Sequence, residues 1–134
     1  MALLRLPYQR VGRTWQPIVP IGVNLTTGWQ RLDVYVDSGA TYSVLKAKIA
    51  DRLGFDYRQG NRISLQVGDG SLILVYLHNL EVQLGTERFI CPMGFSAQFG
   101  VPFNVLGKTG IFDRFKICFQ QRERTITFEN PFDF

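Results

Sequence analysis

Histidine and cysteine are nearly missing from this chain of 134 residues: His78 stands alone, and Cys91 and Cys118 are the two thiols. A single histidine excludes a multi-histidine metal site, and any Ser-His or Cys-His mechanism would have to use His78. The cysteines form no C-x-x-C and have no histidine at metal-ligand spacing, so they read as reduced thiols. No metal or cofactor is expected. Long apolar runs are lacking too. The longest, Leu72 to Leu77, is far too short to span a bilayer. Arg5 interrupts Met1-Ala-Leu-Leu before a signal-peptide core develops, so the expectation is a cytoplasmic protein without membrane association. Charge is thinly spread. Fifteen Lys and Arg against eleven Asp and Glu give a net charge of +4, and the densest knot, Arg122-Glu123-Arg124, carries its own acid. Neither a basic stripe interleaved with aromatics nor a known module is present, so no nucleic-acid partner is expected.

What is there fits one globular domain over 1–134: 46% of residues are hydrophobic and 19% charged, enough apolar surface to build a core. Phenylalanine is abundant and crowds the last third, from Phe95 through Phe119 and Phe128 to Phe132 and Phe134. That implies a Phe-rich core or apolar surface hidden by a partner. Residues 1–16, with Pro7 and Gly12, read as a loose N-terminal arm, 17–119 as the core, and 120–134 as a C-terminal hairpin and tail. Ile18–Leu25 and Trp29–Val36 read as strands joined through Thr26-Thr27-Gly28. Leu45, Ile49 and Leu53 recur every four residues, which predicts a helix over Ser43–Leu53 stopped by Gly54. Ser43 to Lys46 also spells S-x-x-K, but the further motifs of penicillin-recognising enzymes are absent. Ile63, Leu65 and Val67 alternate into Gly68-Asp69-Gly70, a hairpin turn. The returning arm is apolar throughout, which predicts cover on both faces. Strands at Leu80–Leu84 and Phe89–Met93, a short run ending at Gly107, a helical turn near Ile111–Phe115 and a hairpin of Lys116–Phe119 with Thr125–Phe128 complete the chain. The expected fold class is all-β, with one or two short helices in a closed barrel or sandwich.

The chemistry centres on Leu32–Leu45, LDVYVDSGATYSVL. Three apolar residues precede Asp37, so its carboxylate emerges from a buried strand. Ser38 and Gly39 offer a hydroxyl and backbone N–H groups that can hydrogen-bond an ionised carboxylate. Taken alone, Asp-Ser-Gly is equally good turn chemistry.

In its wider pattern the chain resembles the retropepsin-like aspartic proteases, closest in style to the prokaryotic members. Tyr35-Val36-Asp37-Ser38-Gly39-Ala40 matches the family's catalytic signature. Leu65 to Leu74, tipped by Gly68-Asp69-Gly70, matches its flap, and Val105-Leu106-Gly107 its second signature. The helical segment that follows in the family matches Gly110 to Phe115. The resemblance implies half of a pepsin-type bilobal enzyme. Two chains would meet about a two-fold axis as a homodimer, each giving one Asp37 as catalytic residue, with peptides or proteins as substrates. It implies that Ser38 and Gly39 support the dyad and that Ala40 and Thr41 line the cleft floor. It also implies that Val67, Gly68, Asp69, Gly70, Leu72 and Leu74 bind substrate. Thr41 stands where retroviral enzymes often carry an acid paired with a base, a position Lys108 would fill. A rival reading keeps the same fold and dimer as a peptide-binding or dimerisation module with little hydrolysis.

Overall fold

The structure, a computed structural model, describes residues 2–130. Phe132 and Phe134 lie outside the described residues.

Two sheets carry the fold. Strands β4 (Ile18–Asn24) and β5 (Trp29–Val36) form an antiparallel hairpin. β6 (Ser43–Lys46), β7 (Asn61–Gln66), β8 (Leu72–Leu84), β9 (Glu87–Ser96) and β10 (Asn104–Leu106) complete a sheet in the order β4-β5-β10-β6-β9-β8-β7. A further pairing of β4 with β8 closes six of these strands into a barrel and leaves β7 outside as the partner of β8. Closure removes most free strand edges, which suits a mostly β chain of this size. Alternation along β4 points Val19, Ile21 and Val23 inward, and β5 adds Val34 and Val36. Leu45, Met93, Phe95 and Leu106, all fully buried, fill the centre. The mostly-β expectation holds. Among the described residues no helix is long and apolar enough to cross a membrane.

Three local readings change. Residues 1–16 are not a loose arm. Their first strand, β1 (Ala2–Pro7), pairs antiparallel with β12 (Thr125–Asn130), which pairs in turn with β11 (Lys116–Gln120). The remainder folds as a small hairpin of β2 (Gln9–Val11) and β3 (Thr14–Gln16). The predicted helix over Ser43–Leu53 begins late. Ser43, Val44 and Leu45 are consecutively buried because β9 and β10 flank them on both sides, and only Ala47–Arg52 is helical (α1). The four-residue spacing arose from one strand leucine, one residue of the helix and Leu53 just past its end. Gly54 does stop the helix, at φ +71, with the Gly54 N–H bonded to the Asp51 carbonyl and the Phe55 N–H to the Ala50 carbonyl. The apolar arm beginning at Leu72 runs unbroken to Leu84. Only alternate residues of its first stretch are covered: Ile73 and Val75 are buried, while Leu72 is 67% exposed.

β8 therefore does two jobs. Its later half is ladder-paired with β9 from Tyr76 onward, and its first residues pair only with β7. The β7–β8 hairpin projects beyond the barrel wall.

Candidate active site

Asp37 sits one residue past the end of β5, beside β10. β10 runs parallel to β5 with Leu106 opposite Val36, so the chain from Val105 onward passes directly under the Asp37 loop. Hydrogen bonds lace the two segments together. The Asp37 N–H donates to the Leu106 carbonyl at 3.0 Å, and the Lys108 N–H donates to the Ala40 carbonyl at 2.8 Å. Thr109 donates to the Thr41 carbonyl through both its N–H (2.9 Å) and its hydroxyl (2.8 Å). The Gly107 N–H donates to the buried Ser43 hydroxyl at 3.0 Å, which gives Ser43 a structural partner and removes any S-x-x-K chemistry from consideration.

Gly107 has to be glycine. A Cβ there would lie 2.5 Å from the Tyr42 carbonyl carbon and oxygen and 2.9 Å from the Ala40 carbonyl oxygen. The Val105-Leu106-Gly107 motif is thus the underside of the carboxylate loop: Val105 reaches the cleft, Leu106 is in the core, and Gly107 allows the close crossing.

The carboxylate is aimed by a short loop. The Gly39 N–H donates to Asp37 Oδ1 at 2.8 Å, and the Ala40 N–H closes the turn onto the Asp37 carbonyl at 3.2 Å. A Cβ on Gly39 would approach Asp37 Oδ1 to 3.2 Å, so glycine keeps that side of the carboxylate clear. Asp37 lies on a cleft of about 420 Å3 walled by Tyr35, Tyr42, Val44, Leu65, Val67, Phe99, Val101, Phe103 and Val105, with Gly39, Ala40, Thr41, Gln66 and Gly68 also contributing. Asp37 is the only charged side chain among the described residues of that lining. A lone carboxylate in an apolar trough suits acid–base work on an apolar, extended ligand.

Of the residues singled out from sequence, Asp37, Gly39, Ala40, Thr41, Val67, Gly68 and Val105 come together here. Ser38 is exposed on the turn, outside the lining. Asp69, Gly70, Leu72 and Leu74 also lie off it. Asp69 and Gly70 form the hairpin tip, where Gly70 takes φ +86 and Asp69 Oδ1 accepts from the Ser71 N–H (2.9 Å) and hydroxyl (2.5 Å). Those bonds hold the Asp69 carboxyl below its ordinary range. Strand alternation places Leu72 opposite Gln66 and Leu74 opposite Ser64, on the hairpin face away from Leu65 and Ile73. The segments carrying Thr41 and Lys108 are joined by backbone bonds one residue out of step, Lys108 N–H to the Ala40 carbonyl and Thr109 N–H to the Thr41 carbonyl.

Sequence reading missed the aromatic wall. Tyr35 stacks on Phe103 at 5.0 Å between ring centroids and 15° between planes. The loop bearing Phe99, Val101 and Phe103 is held by Lys46, whose Nζ donates to the Phe99 carbonyl at 3.2 Å and whose N–H donates to Asn104 Oδ1 at 2.9 Å. An apolar Val-Pro-Phe run beside Gly100 in a loop was the available signal, since such residues need something to cover them. His78 takes no part: its Nε2 is 2.7 Å from the Tyr57 carbonyl and its ring packs edge-on to Phe55 and Phe95. Burial pushes the Cys91 thiol up to about 12, with Asp113 adding to the effect and Arg114 opposing it, so it is an inert core thiol. No cluster of three or more His, Cys, Asp or Glu side chains gathers among the described residues.

A family model described as aspartyl protease matches residues 21–94. Among solved structures, a retropepsin-like aspartic protease from Rickettsia conorii is similar in fold with a TM-score of 0.67 at 17% identity, over 95% of this chain and 91% of that one. The EIAV protease complexed with the inhibitor HBY-793 is similar with a TM-score of 0.52 at 20% identity, over 75% of this chain and 88% of that one. No curated protein matches.

Proposed function

The chain belongs to the aspartyl protease family, and from that premise we propose that it works as a homodimeric endopeptidase in which two copies of Asp37 share one catalytic water. The observation that carries this reading is the single Asp37 carboxylate, held at 2.8 Å by the Gly39 N–H and standing as the lone charge in an apolar cleft. One carboxylate cannot be acid and base at once, and the chain contains a single Asp-Ser-Gly. A two-fold axis beside the loop supplies the second.

Two carboxylates a few ångströms apart cannot both ionise cheaply, so the pair holds one proton between them. The ionised member takes a proton from water as general base. The protonated member donates to the scissile carbonyl oxygen, and the tetrahedral intermediate collapses as the proton returns to the leaving amine. Ser38, exposed on the turn, would brace the dyad across the axis. The β7–β8 hairpin would act as a flap over an extended peptide, with backbone at Gly68, Asp69 and Gly70 pairing to it as an added strand. Leu72 and Leu74, facing away from their own cleft, would then meet substrate or the second copy. The apolar wall favours hydrophobic side chains at the cleavage site.

Digestion of a peptide library by wild type and Asp37→Asn, from acidic to neutral pH and read by mass spectrometry, tests the proposal. Cleavage by wild type alone, blocked by an aspartic-protease inhibitor, is expected. Equal cleavage by both would refute it.

A further inference from the structure

The Arg122-Glu123-Arg124 knot gains further arginines as neighbours in space. The β11–β12 turn, residues 121–124, folds against the β2–β3 hairpin. The Tyr8 N–H donates to the Arg124 carbonyl at 2.7 Å, and Gln121 Nε2 donates to the Trp15 carbonyl at 3.5 Å. The Arg124 guanidinium lies over the Trp15 ring, 4.5 Å from its centroid. Arg10 is the direct cross-strand neighbour of Trp15 and so shares its face. Arg13 is exposed at the hairpin tip and Arg122 in the turn. The hairpin and the turn folded against it thus carry four arginines and one glutamate, Glu123, most of the chain's net charge of +4, with Arg10 Nε donating to the Gly12 carbonyl at 3.1 Å and its terminal nitrogens left for a ligand.

Two further features mark this corner. Arg124 adopts φ +57, a conformation that glycine takes freely and other residues rarely do. A large cation rather than glycine stands at this position, and its guanidinium is fixed over the Trp15 ring. The corner also joins the barrel at the Asp37 end of β5. β3 stops one residue before Pro17, and the Pro17 carbonyl accepts from the Val36 N–H at 2.9 Å, next to Asp37 itself. Among the described residues of the cleft lining there is no cation.

We propose that the corner built from Arg10, Arg13, Arg122 and Arg124 docks an acidic segment of the substrate polypeptide, outside the apolar stretch that enters the cleft. This rests on the reading of the Asp37 cleft as the site of cleavage. Guanidinium forks match carboxylates bidentately, so arginine rather than lysine is the fitting residue. A single-stranded nucleic acid fits less well, because the Trp15 face that would stack a base is covered by Arg124.

The test uses two fluorescent peptides with one cleavable apolar core, flanked either by glutamates or by glutamines. Wild type is expected to show a KM lower by about three- to thirty-fold for the glutamate peptide with kcat little changed, as a few exposed ion pairs would give. The preference should fade near about 1 M salt, where the Debye length is about 3 Å. It should collapse in Arg10→Gln/Arg13→Gln/Arg122→Gln and weaken in Arg124→Gly, a variant whose backbone suits the turn. Anisotropy of both peptides on Asp37→Asn separates the two readings. Preferential, arginine-dependent binding without cleavage by wild type would leave the docking surface standing and remove the protease reading. Equal KM and equal binding for both peptides would overturn the proposal, as would tighter binding of a single-stranded oligonucleotide than of the glutamate peptide.

Discussion

Replacing Gly107 by alanine tests how the carboxylate loop is built. The added methyl would sit 2.5 Å from the Tyr42 backbone, roughly 0.9 Å inside the 3.4 Å at which ordinary contact begins. The backbone φ of −107° is open to any residue, so the whole effect is steric. Neither neighbour is a flexible side-chain tip, so β10 has to withdraw from the loop above it. That withdrawal strains the bonds from the Asp37 N–H to Leu106 and from the Lys108 N–H to Ala40, and parts the buried Gly107 N–H from Ser43. Two weakened bonds at about 1 kcal/mol each and one buried donor left unsatisfied at about 1–3 kcal/mol sum to roughly 3–5 kcal/mol. For a domain of this size the loss corresponds to a fall in Tm of about 11–18 °C at fixed protein concentration. Gly68→Ala is the control: nothing lies within 4 Å of its Cβ position, and a change within about 0.5 kcal/mol is expected. Calorimetry and urea unfolding of both variants decide the matter. A loss below about 1 kcal/mol for Gly107→Ala would show that the crossing has slack, and the account of the loop would fail.

Ser43→Ala, which removes the acceptor of the Gly107 N–H while keeping its bulk small, should cost about 1–3 kcal/mol in urea unfolding; a neutral result would mean that bond contributes nothing. Cys91 should resist iodoacetamide in the folded protein near neutral pH and react only on unfolding, as read by mass spectrometry. With its folded pKa near 12 against an ordinary 9.0, its contribution to stability is constant below pH 9.0 and falls as pH rises from there toward 12. If the site is shared between two chains, specific activity should drop on dilution through the range where sedimentation shows dissociation, and activity strictly linear in protein there would contradict a shared site.

The sequence announced the carboxylate loop more clearly than its surroundings. Asp37, Gly39 and Gly107 were visible because their roles depend on residue type: a carboxylate, a missing Cβ beside it, and a missing Cβ beneath it. The strand β6 was hidden because Leu45, Ile49 and Leu53 happen to keep a helical spacing across a strand–helix junction. β1 was hidden for a different reason. Its partner β12 lies at the other end of the chain, and nothing local in Leu3-Leu4-Arg5-Leu6 says that Leu4 and Leu6 have a surface to cover. The Tyr35–Phe103 stack and the arginine corner are likewise products of long-range pairing, and composition alone cannot bring such residues together.

The long strand β8 would set how the projecting hairpin swings if it works as the proposed flap. At Leu74 the strand is fastened to the wall: Ser96 Oγ donates to its carbonyl at 2.7 Å and Gln98 Oε1 accepts from its N–H at 2.7 Å, side chains replacing the ladder that β9 no longer provides. Leu74 would therefore be its fulcrum. The free lever is the stretch from Leu65 to Ile73, on the order of 10 Å at strand rise, and it carries Val67 and Gly68 of the cleft lining at its end. If the hairpin serves as the proposed flap, a lever this short would open only a narrow gate, one that would admit a threaded chain and turn away a folded one.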